Sequence, residues 1–281
     1  GLISATLLRM PGTPAAVMTT LDGYPMASAG RPGRALGLGI GASLVGGLIS
    51  WLALWQLSEP MADWSTKLGP FELFSLVALA LALLAGVGET TRARGLLAGG
   101  LGVLAAMPGM HPATGELRWT FGITEMNEGF RLIPVLIGMF AIGKILEDVM
   151  GKEAKVETVS GDDSPFIPLG TWKKQIVNLL RSSGIGTLIG VLPGVGANIG
   201  SLAAYVSAKR ASKKPEEFGK GSEEGIVASE SANNATVGGA LIPLIALGIP
   251  GSVIGAVLLG ALIFHGLIPG PLLFRQNPEA V

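Results

Sequence analysis

The chain has 281 residues, 49% hydrophobic and 14% charged, with 20 basic side chains balancing 20 acidic ones. Soluble domains carry about a quarter charged residues, so this composition points to a membrane protein, and the zero net charge gives nucleic acid no preferred surface. Without cysteine there is no disulfide and no thiolate metal site, and the redox compartment stays open. Mean hydropathy is +0.55. The 43 glycines and 18 prolines suit close helix packing and broken membrane helices. In a soluble chain they would point to disorder, which the long apolar runs argue against.

Gly1 stands where Met is usual and no signal peptide precedes the apolar sequence, so the first half is expected to be N-terminally truncated. Residues 1–8 read as the end of a membrane segment. Pro11, Gly12 and Pro14 break it, because proline removes a backbone donor and clashes with the preceding turn. Thr13, Thr19, Thr20 and Asp22 follow in a mildly apolar stretch. Arg31 and Arg34 flank a Gly/Pro-rich loop, and residues 35–57 are about long enough to span a bilayer. Trp51 and Trp55 suit an interfacial belt at its end.

Residues 59–67 read as a short acidic loop, 71–88 as the next span, and Arg92 and Arg94 as its far end. Residues 95–107 form either a span or a re-entrant segment. A polar connection at 110–131 leads to a span at 132–146, kinked at Pro134. Positive charge favours the cytoplasmic side, which places Arg31, Arg34, Arg92 and Arg94 there and the loops at 59–67 and 110–131 opposite. Residues 147–174, charged in both signs, read as a cytoplasmic linker.

Residues 184–208 are apolar, with LPGVG at 192–196, and have basic clusters at both ends: Lys173, Lys174 and Arg181 before, Lys209, Arg210, Lys213 and Lys214 after. A hairpin turning at 193–196 keeps both clusters on one side; a simple span does not. A polar connection at 212–224 precedes an interrupted pair of apolar segments at 225–249 and 252–274.

The polar side chains of the second half carry the candidate site. Glu230, Ser231, Asn233 and Asn234 lie in an apolar stretch broken by Pro243, Pro250 and Pro269. In hydrocarbon, such groups persist where they face protein, water or a ligand. Helix-to-helix polar packing accounts for isolated Ser or Asn residues; for the cluster a transport site is the better reading. The break at Pro193 and Gly194, with Gly196 and Asn198 just after, would leave unpaired N–H groups at a helix start, where partial positive charge attracts a carboxylate. Pro250, Gly251 and Ser252 repeat that arrangement with a hydroxyl donor, and Pro11, Gly12 and Thr13 are the expected counterpart in the first half. Applying the LPG-to-IPG spacing to Pro11 puts the matching element before Gly1, which points to two related halves.

Glu230 reads either as a carboxylate capping the following helix or as a cation or proton carrier. Asn233 and Asn234 offer amide donors to an anion and carbonyl oxygens to sodium. Asp22 reads either as a turn residue at the membrane edge or as a coupling-ion ligand. His111 and His265 are isolated and form no metal constellation. An intramembrane serine protease built on Ser252 and His265 lacks a Gly-x-Ser-Gly pattern around the serine.

The run ESANNA at 230–235, with LGIPGS at 247–252, LPGVG at 192–196, MPGTP at 10–14 and LDGYPMA at 21–27, resembles the large membrane (permease) subunit of bacterial tripartite tricarboxylate transporters. The likeness covers nearly all of the chain. It implies a multi-pass protein of the bacterial inner membrane carrying citrate-like tricarboxylates and related organic acids. It also implies two partners, a periplasmic solute-binding protein and a small membrane subunit, and coupling to a sodium or proton gradient. No cofactor, metal or chemical step is needed, so no enzyme is expected.

The expected fold is an all-α integral membrane protein, a multi-span helical bundle of two related halves with broken or re-entrant helices. Residues 1–146 form the first half, 147–174 the linker and 175–281 the second half. Substrate carboxylates are expected at the helix starts after the breaks, with Asn198, Asn233 and Asn234 around them and Glu230 or Asp22 serving the cation. Two rival classes are an ion or solute channel and a non-transporting membrane scaffold.

Overall fold

The computed structural model describes residues 1–11, 13–69, 71–72, 74–75, 78–79, 92–111, 115–130, 134–135, 138, 142, 146, 149, 163–192 and 196–276. Most of the expected spans at 71–88 and 132–146, and the linker as far as residue 162 except residue 149, lie outside the described residues. So do Gly12, Pro193 and Gly194.

The architecture is all-α. In chain order it comprises α1 (Leu2–Leu8), a 3₁₀ turn (Pro14–Ala16), α2 (Val17–Ser28), α3 (Pro32–Ser65) and α4 (Arg92–Ala105). A two-stranded antiparallel hairpin pairs β1 (Gly109–Met110) with β2 (Leu117–Arg118), and a 3₁₀ turn (Thr124–Glu128) follows. Then come α5 (Leu169–Val191), α6 (Gly196–Ala211), a 3₁₀ turn (Pro215–Glu217), α7 (Glu223–Leu247), α8 (Val253–Phe264) and α9 (Pro271–Gln276).

Among the described residues, one helix, α3, is by itself long and apolar enough to cross a membrane. Its two faces are sorted in a way that suits lipid. Ile40, Leu44, Leu48, Trp51 and Trp55, spaced by three or four residues, form an exposed apolar stripe, while Ala35, Ala42, Gly46 and Ser50 are buried. Large side chains outside and small ones inside is the pattern of a helix packed in hydrocarbon, where close backbone contact replaces the hydrophobic drive.

α7 is the axis of the bundle. Along its length it meets α3 at Glu223, Glu230, Ser231 and Gly238, opposite Arg34, Ser43, Gly46 and Ser50 in turn, so the two helices run parallel. α5 also runs parallel to it, with Asn178, Gly186 and Gly190 facing Glu224, Ala232 and Thr236. α2 and α6 run the other way. Thr19 and Asp22 meet Glu230 and Gly225, while Gly200 and Tyr205 meet Thr236 and Gly225.

These approaches are close because small residues allow them. A Cβ on Gly46 would collide with the Ser231 carbonyl, and one on Gly186 with the Ala232 carbonyl. α7 ends at Leu247, where Gly248 turns left-handed at φ 70° and its N–H donates to Leu244 O at 2.9 Å. Pro250 follows and prevents the helix from resuming at once.

α5 and α6 form a hairpin across residues 192–195. Gly186 lies against Gly200, and Arg181 shares one groove with Arg210, so the basic ends of the two helices are on the same side.

Several boundaries differ from those read along the sequence. The loop expected at 59–67 is helical as far as Ser65, because Ser58, Ala62 and Ser65 continue the buried stripe of α3 past Pro60. Arg92 and Arg94 lie in α4, and the residues just before them are outside the described ones. The polar connection at 110–131 holds the small hairpin and a 3₁₀ turn. The apolar segment at 252–274 divides into α8 and α9, separated by left-handed glycines at 266 and 270.

Packing of this kind predicts a sharp contrast between neighbouring glycines. Gly46→Ala, which meets the Ser231 backbone, should destabilise the protein by about 1–3 kcal/mol. Gly47→Ala, with nothing within 4 Å, should be neutral or slightly stabilising. Thermal unfolding of the two full-length variants in detergent, followed by loss of monodisperse elution, measures the difference.

Candidate functional site

The central turns of α7 carry a run of small and polar residues, Ser229, Glu230, Ser231, Asn233, Asn234 and Thr236, in place of large side chains. Ser222 starts the helix by accepting from Gly225 N at 3.2 Å, and the absence of a break up to Leu247 holds the polar run in a regular register.

Glu230 is buried, at 2% relative exposure. Its Oε1 accepts from Thr19 Oγ1 of α2 at 2.5 Å and its Oε2 from Ser43 Oγ of α3 at 3.0 Å. Asn234, one turn further on, donates from Nδ2 to Ser43 Oγ at 2.7 Å and to the Glu230 carbonyl at 3.1 Å. Ser229 completes the cluster, with Oγ 3.5 Å from Thr19 Oγ1.

Hydroxyls from α2 and α3 thus converge on one carboxylate of α7, and the Asn234 amide holds one of those hydroxyls. Among the described residues no Lys or Arg forms an ion pair with Glu230. A carboxylate buried without a fixed cation is costly in its charged form, so such a pocket favours either a proton or a small cation that takes oxygen ligands. Glu230 is therefore no helix-capping residue: it sits two turns inside α7.

Thr19 and Ser43 were not singled out as candidates by sequence. Their signal is present in it: each is a hydroxyl within an apolar helical stretch. A hydroxyl alone is common in membrane helices, and what sets these two apart is their meeting on Glu230.

The other candidate residues are distributed around this centre. Asn233 is half-buried and makes no side-chain hydrogen bond among the described residues. Ser231 is buried, and its hydroxyl turns back onto the Ala228 carbonyl at 3.4 Å. Gly196 opens α6 in a left-handed conformation, φ 76°, with the Asn198 Oδ1 beside it. Gly251 packs near Ala240 and the Gly190 carbonyl, so the chain leaving α7 passes close to the end of α5. Ser252 caps α8 by accepting from Gly255 N at 3.1 Å. Pro11 and Thr13 are exposed just before the 3₁₀ turn that leads into α2. That turn packs against α6, so the helix starts following MPG and LPG lie side by side.

Asp22 stands apart. It is an interior residue of α2, not a turn residue, and is fully buried. Its Oδ1 accepts from the backbone N–H groups of Gly219, Gly221 and Ser222 at 2.8, 2.9 and 2.7 Å, and its Oδ2 from Tyr205 Oη at 2.8 Å. These N–H groups lead into the start of α7, where the helix dipole also favours negative charge. Asp163 does the same for α3, accepting from Gly33 N at 2.6 Å and Arg34 N at 2.7 Å. Each of the two parallel helices thus starts against a carboxylate supplied by another segment.

Residues 1–281 match the model of the tripartite tricarboxylate transporter TctA family. The chain belongs to that family. Among curated proteins it is 34% identical over 283 residues to an uncharacterized 52.8 kDa protein in the TAR-I ttuC' 3' region of Agrobacterium vitis, covering 99% of this chain and 55% of the relative. It is 46% identical over 93 residues to an uncharacterized protein in the TAR-II ttuC' 3' region of the same organism, covering 33% of this chain and 38% of the relative. The chain therefore spans about half the length of the longer match. No solved structure matches it. The family is one of transporters rather than enzymes, and its tripartite designation accords with a membrane component working alongside other subunits.

The Asp22 contacts predict a graded loss of stability. Asp22→Ala leaves three N–H groups and the Tyr205 hydroxyl without their acceptor, at about 1–3 kcal/mol for each group left unsatisfied. Tyr205→Phe removes one hydrogen bond and should cost about 1 kcal/mol. Denaturant or thermal unfolding of the full-length variants should rank Asp22→Ala well below Tyr205→Phe, with wild type highest.

Proposed function

We propose that the chain forms the substrate-translocating part of a secondary transporter that imports tricarboxylates or related small organic acids across the bacterial inner membrane. The observation that carries this reading is Glu230, buried in α7 between the Thr19 and Ser43 hydroxyls with no ion-pairing Lys or Arg among the described residues. Glu230 is the coupling residue, taking a proton or, with the oxygens of Thr19, Ser43 and Asn234, a sodium ion. Asp22 is spoken for by its four donors and holds the start of α7 in place.

Substrate carboxylates bind beside this centre, at the helix starts that follow the Pro-Gly breaks. Pro11, Gly12 and Thr13 lead into α2, and Pro193, Gly194, Gly196 and Asn198 lead into α6. The adjacency of the two starts, both antiparallel to α7, supports one anion pocket between them. Asn233, half-buried and uncommitted, provides an amide to it. Pro250, Gly251 and Ser252 close the pocket at the end of α7.

The same geometry supports a repeat of helix–turn–helix units, α2–α3 and α6–α7. In it the counterpart of MPG is LPG, not the IPG that the Pro-Gly-hydroxyl pattern singled out. Each unit lies within one of the two expected halves, 1–146 and 175–281; the linker expected at 147–174 ends sooner, because residues 169–174 already form the first turns of α5. A periplasmic solute-binding protein delivers the substrate, and a small membrane subunit completes the complex. No organic cofactor takes part, only the coupling ion.

The test uses the full-length protein with both partners in vesicles, recording labelled citrate uptake with and without inward sodium and proton gradients. Glu230→Gln should abolish the response to the gradient, and Asn233→Ala should lower uptake by about tenfold, near 1.4 kcal/mol of binding. Gradient-driven uptake that survives Glu230→Gln at wild-type level would remove the coupling assignment. Uptake by wild type that neither saturates nor responds to any gradient would indicate a channel.

A further inference from the structure

On the outside of the α5–α6 hairpin lies an open groove of about 640 Å³. Its walls are apolar, formed by Ile199, Leu202, Ala203 and Val206 of α6, and Arg181 of α5 and Arg210 of α6 lie together along it. Leu202 and Val206 are exposed although both are large apolar side chains.

The arginines are not committed within the bundle. Arg181 donates from Nη2 to Asn178 Oδ1 at 2.9 Å, yet its Nε is buried and has no hydrogen-bond acceptor among the described residues. Neither arginine pairs with a carboxylate among the described residues. A buried guanidinium N–H without an acceptor is unfavourable, and a planar guanidinium pairs best with a phosphate or carboxylate oxygen. Arg210 lies in the last turn of α6 next to Lys209 in the chain, and with Arg181 it puts two guanidinium groups along the groove.

We propose that this groove binds an anionic phospholipid, with the phosphate held by Arg181 and Arg210 and an acyl chain laid along Ile199, Leu202 and Val206. The match is to both ends of the molecule. Positive charge at the membrane surface attracts an anionic head group, and apolar side chains below it accept the tail. A small hydrated carboxylate meets only the first requirement, since apart from Ser207 the rest of the lining is apolar. The inference rests on the chain lying in a membrane and is independent of the transport site at Glu230.

Native mass spectrometry of the full-length protein decides it, with phosphatidylglycerol and phosphatidylethanolamine of matched chains titrated onto delipidated samples. Phosphatidylglycerol should be retained about tenfold more strongly, in line with two charge-assisted contacts. The double variant Arg181→Gln/Arg210→Gln should bring it down to the phosphatidylethanolamine level, and the double lysine variant should restore most of it.

Leu202→Trp, which fills the groove and leaves both charges in place, should lower retention of both lipids and keeps the test valid if the glutamine pair fails to fold. Unchanged phosphatidylglycerol retention in the folded glutamine variant would overturn the proposal. So would equal retention of the two lipids by wild type, or full displacement by millimolar inorganic phosphate, which points to a simple anion site. A photo-crosslinker at position 202 that captures another part of the chain or the small subunit, rather than lipid, would also overturn it.

Discussion

The rest of the bundle depends on α7 being thin. Its central turns carry glycine, alanine and serine where a soluble core helix would carry leucine, and glycines on α3 and α5 approach its backbone directly. In lipid there is little gain from burying large side chains between helices, so contact area comes from backbones drawn together. The same closeness is what lets short side chains such as Thr19 and Ser43 reach a carboxylate on another helix. With larger residues at these interfaces the hydroxyls would be held out of range of Glu230.

Close packing also raises the stakes for polar groups. A backbone N–H at a helix start, or a carboxylate in the middle of a helix, has no water nearby to satisfy it. The bundle resolves this in two ways. Asp22 and Asp163 accept from N–H groups at the starts of α7 and α3. Glu230 is treated differently, with two neutral hydroxyl donors and no ion-pairing basic side chain among the described residues. Asp22 accepts from four donors and Glu230 from two hydroxyls, and on that difference the proposed coupling role falls to Glu230.

The hairpin of α5 and α6 links these features to the outer face of the bundle. Gly190 of α5 and Gly200 of α6 lie against Thr236 of α7, while the other ends of the two helices bring Arg181 and Arg210 together. A single element therefore presents a helix start to the interior and a basic, apolar-walled groove to the outside. About three to four turns of helix separate the two.

Much of this was legible in the chain itself. Charge content, hydropathy and the Pro-Gly breaks led to an all-α membrane protein, and the motifs at 10–14, 192–196, 230–235 and 247–252 led to the family. Glu230 and Asn234 were legible too, since polar side chains in an apolar helix are costly and so stand out. The continuation of α3 through Pro60 was hidden, because a proline and nearby charges look like a loop until the buried stripe of Ser58, Ala62 and Ser65 finds its neighbours. The role of Asp22 was equally hidden. Its partners lie some two hundred residues away on another segment, and no local spacing encodes them. Sequence determined which groups are expensive to bury; only the tertiary structure decided which of them are already satisfied, because that depends on what other helices bring within hydrogen-bonding distance.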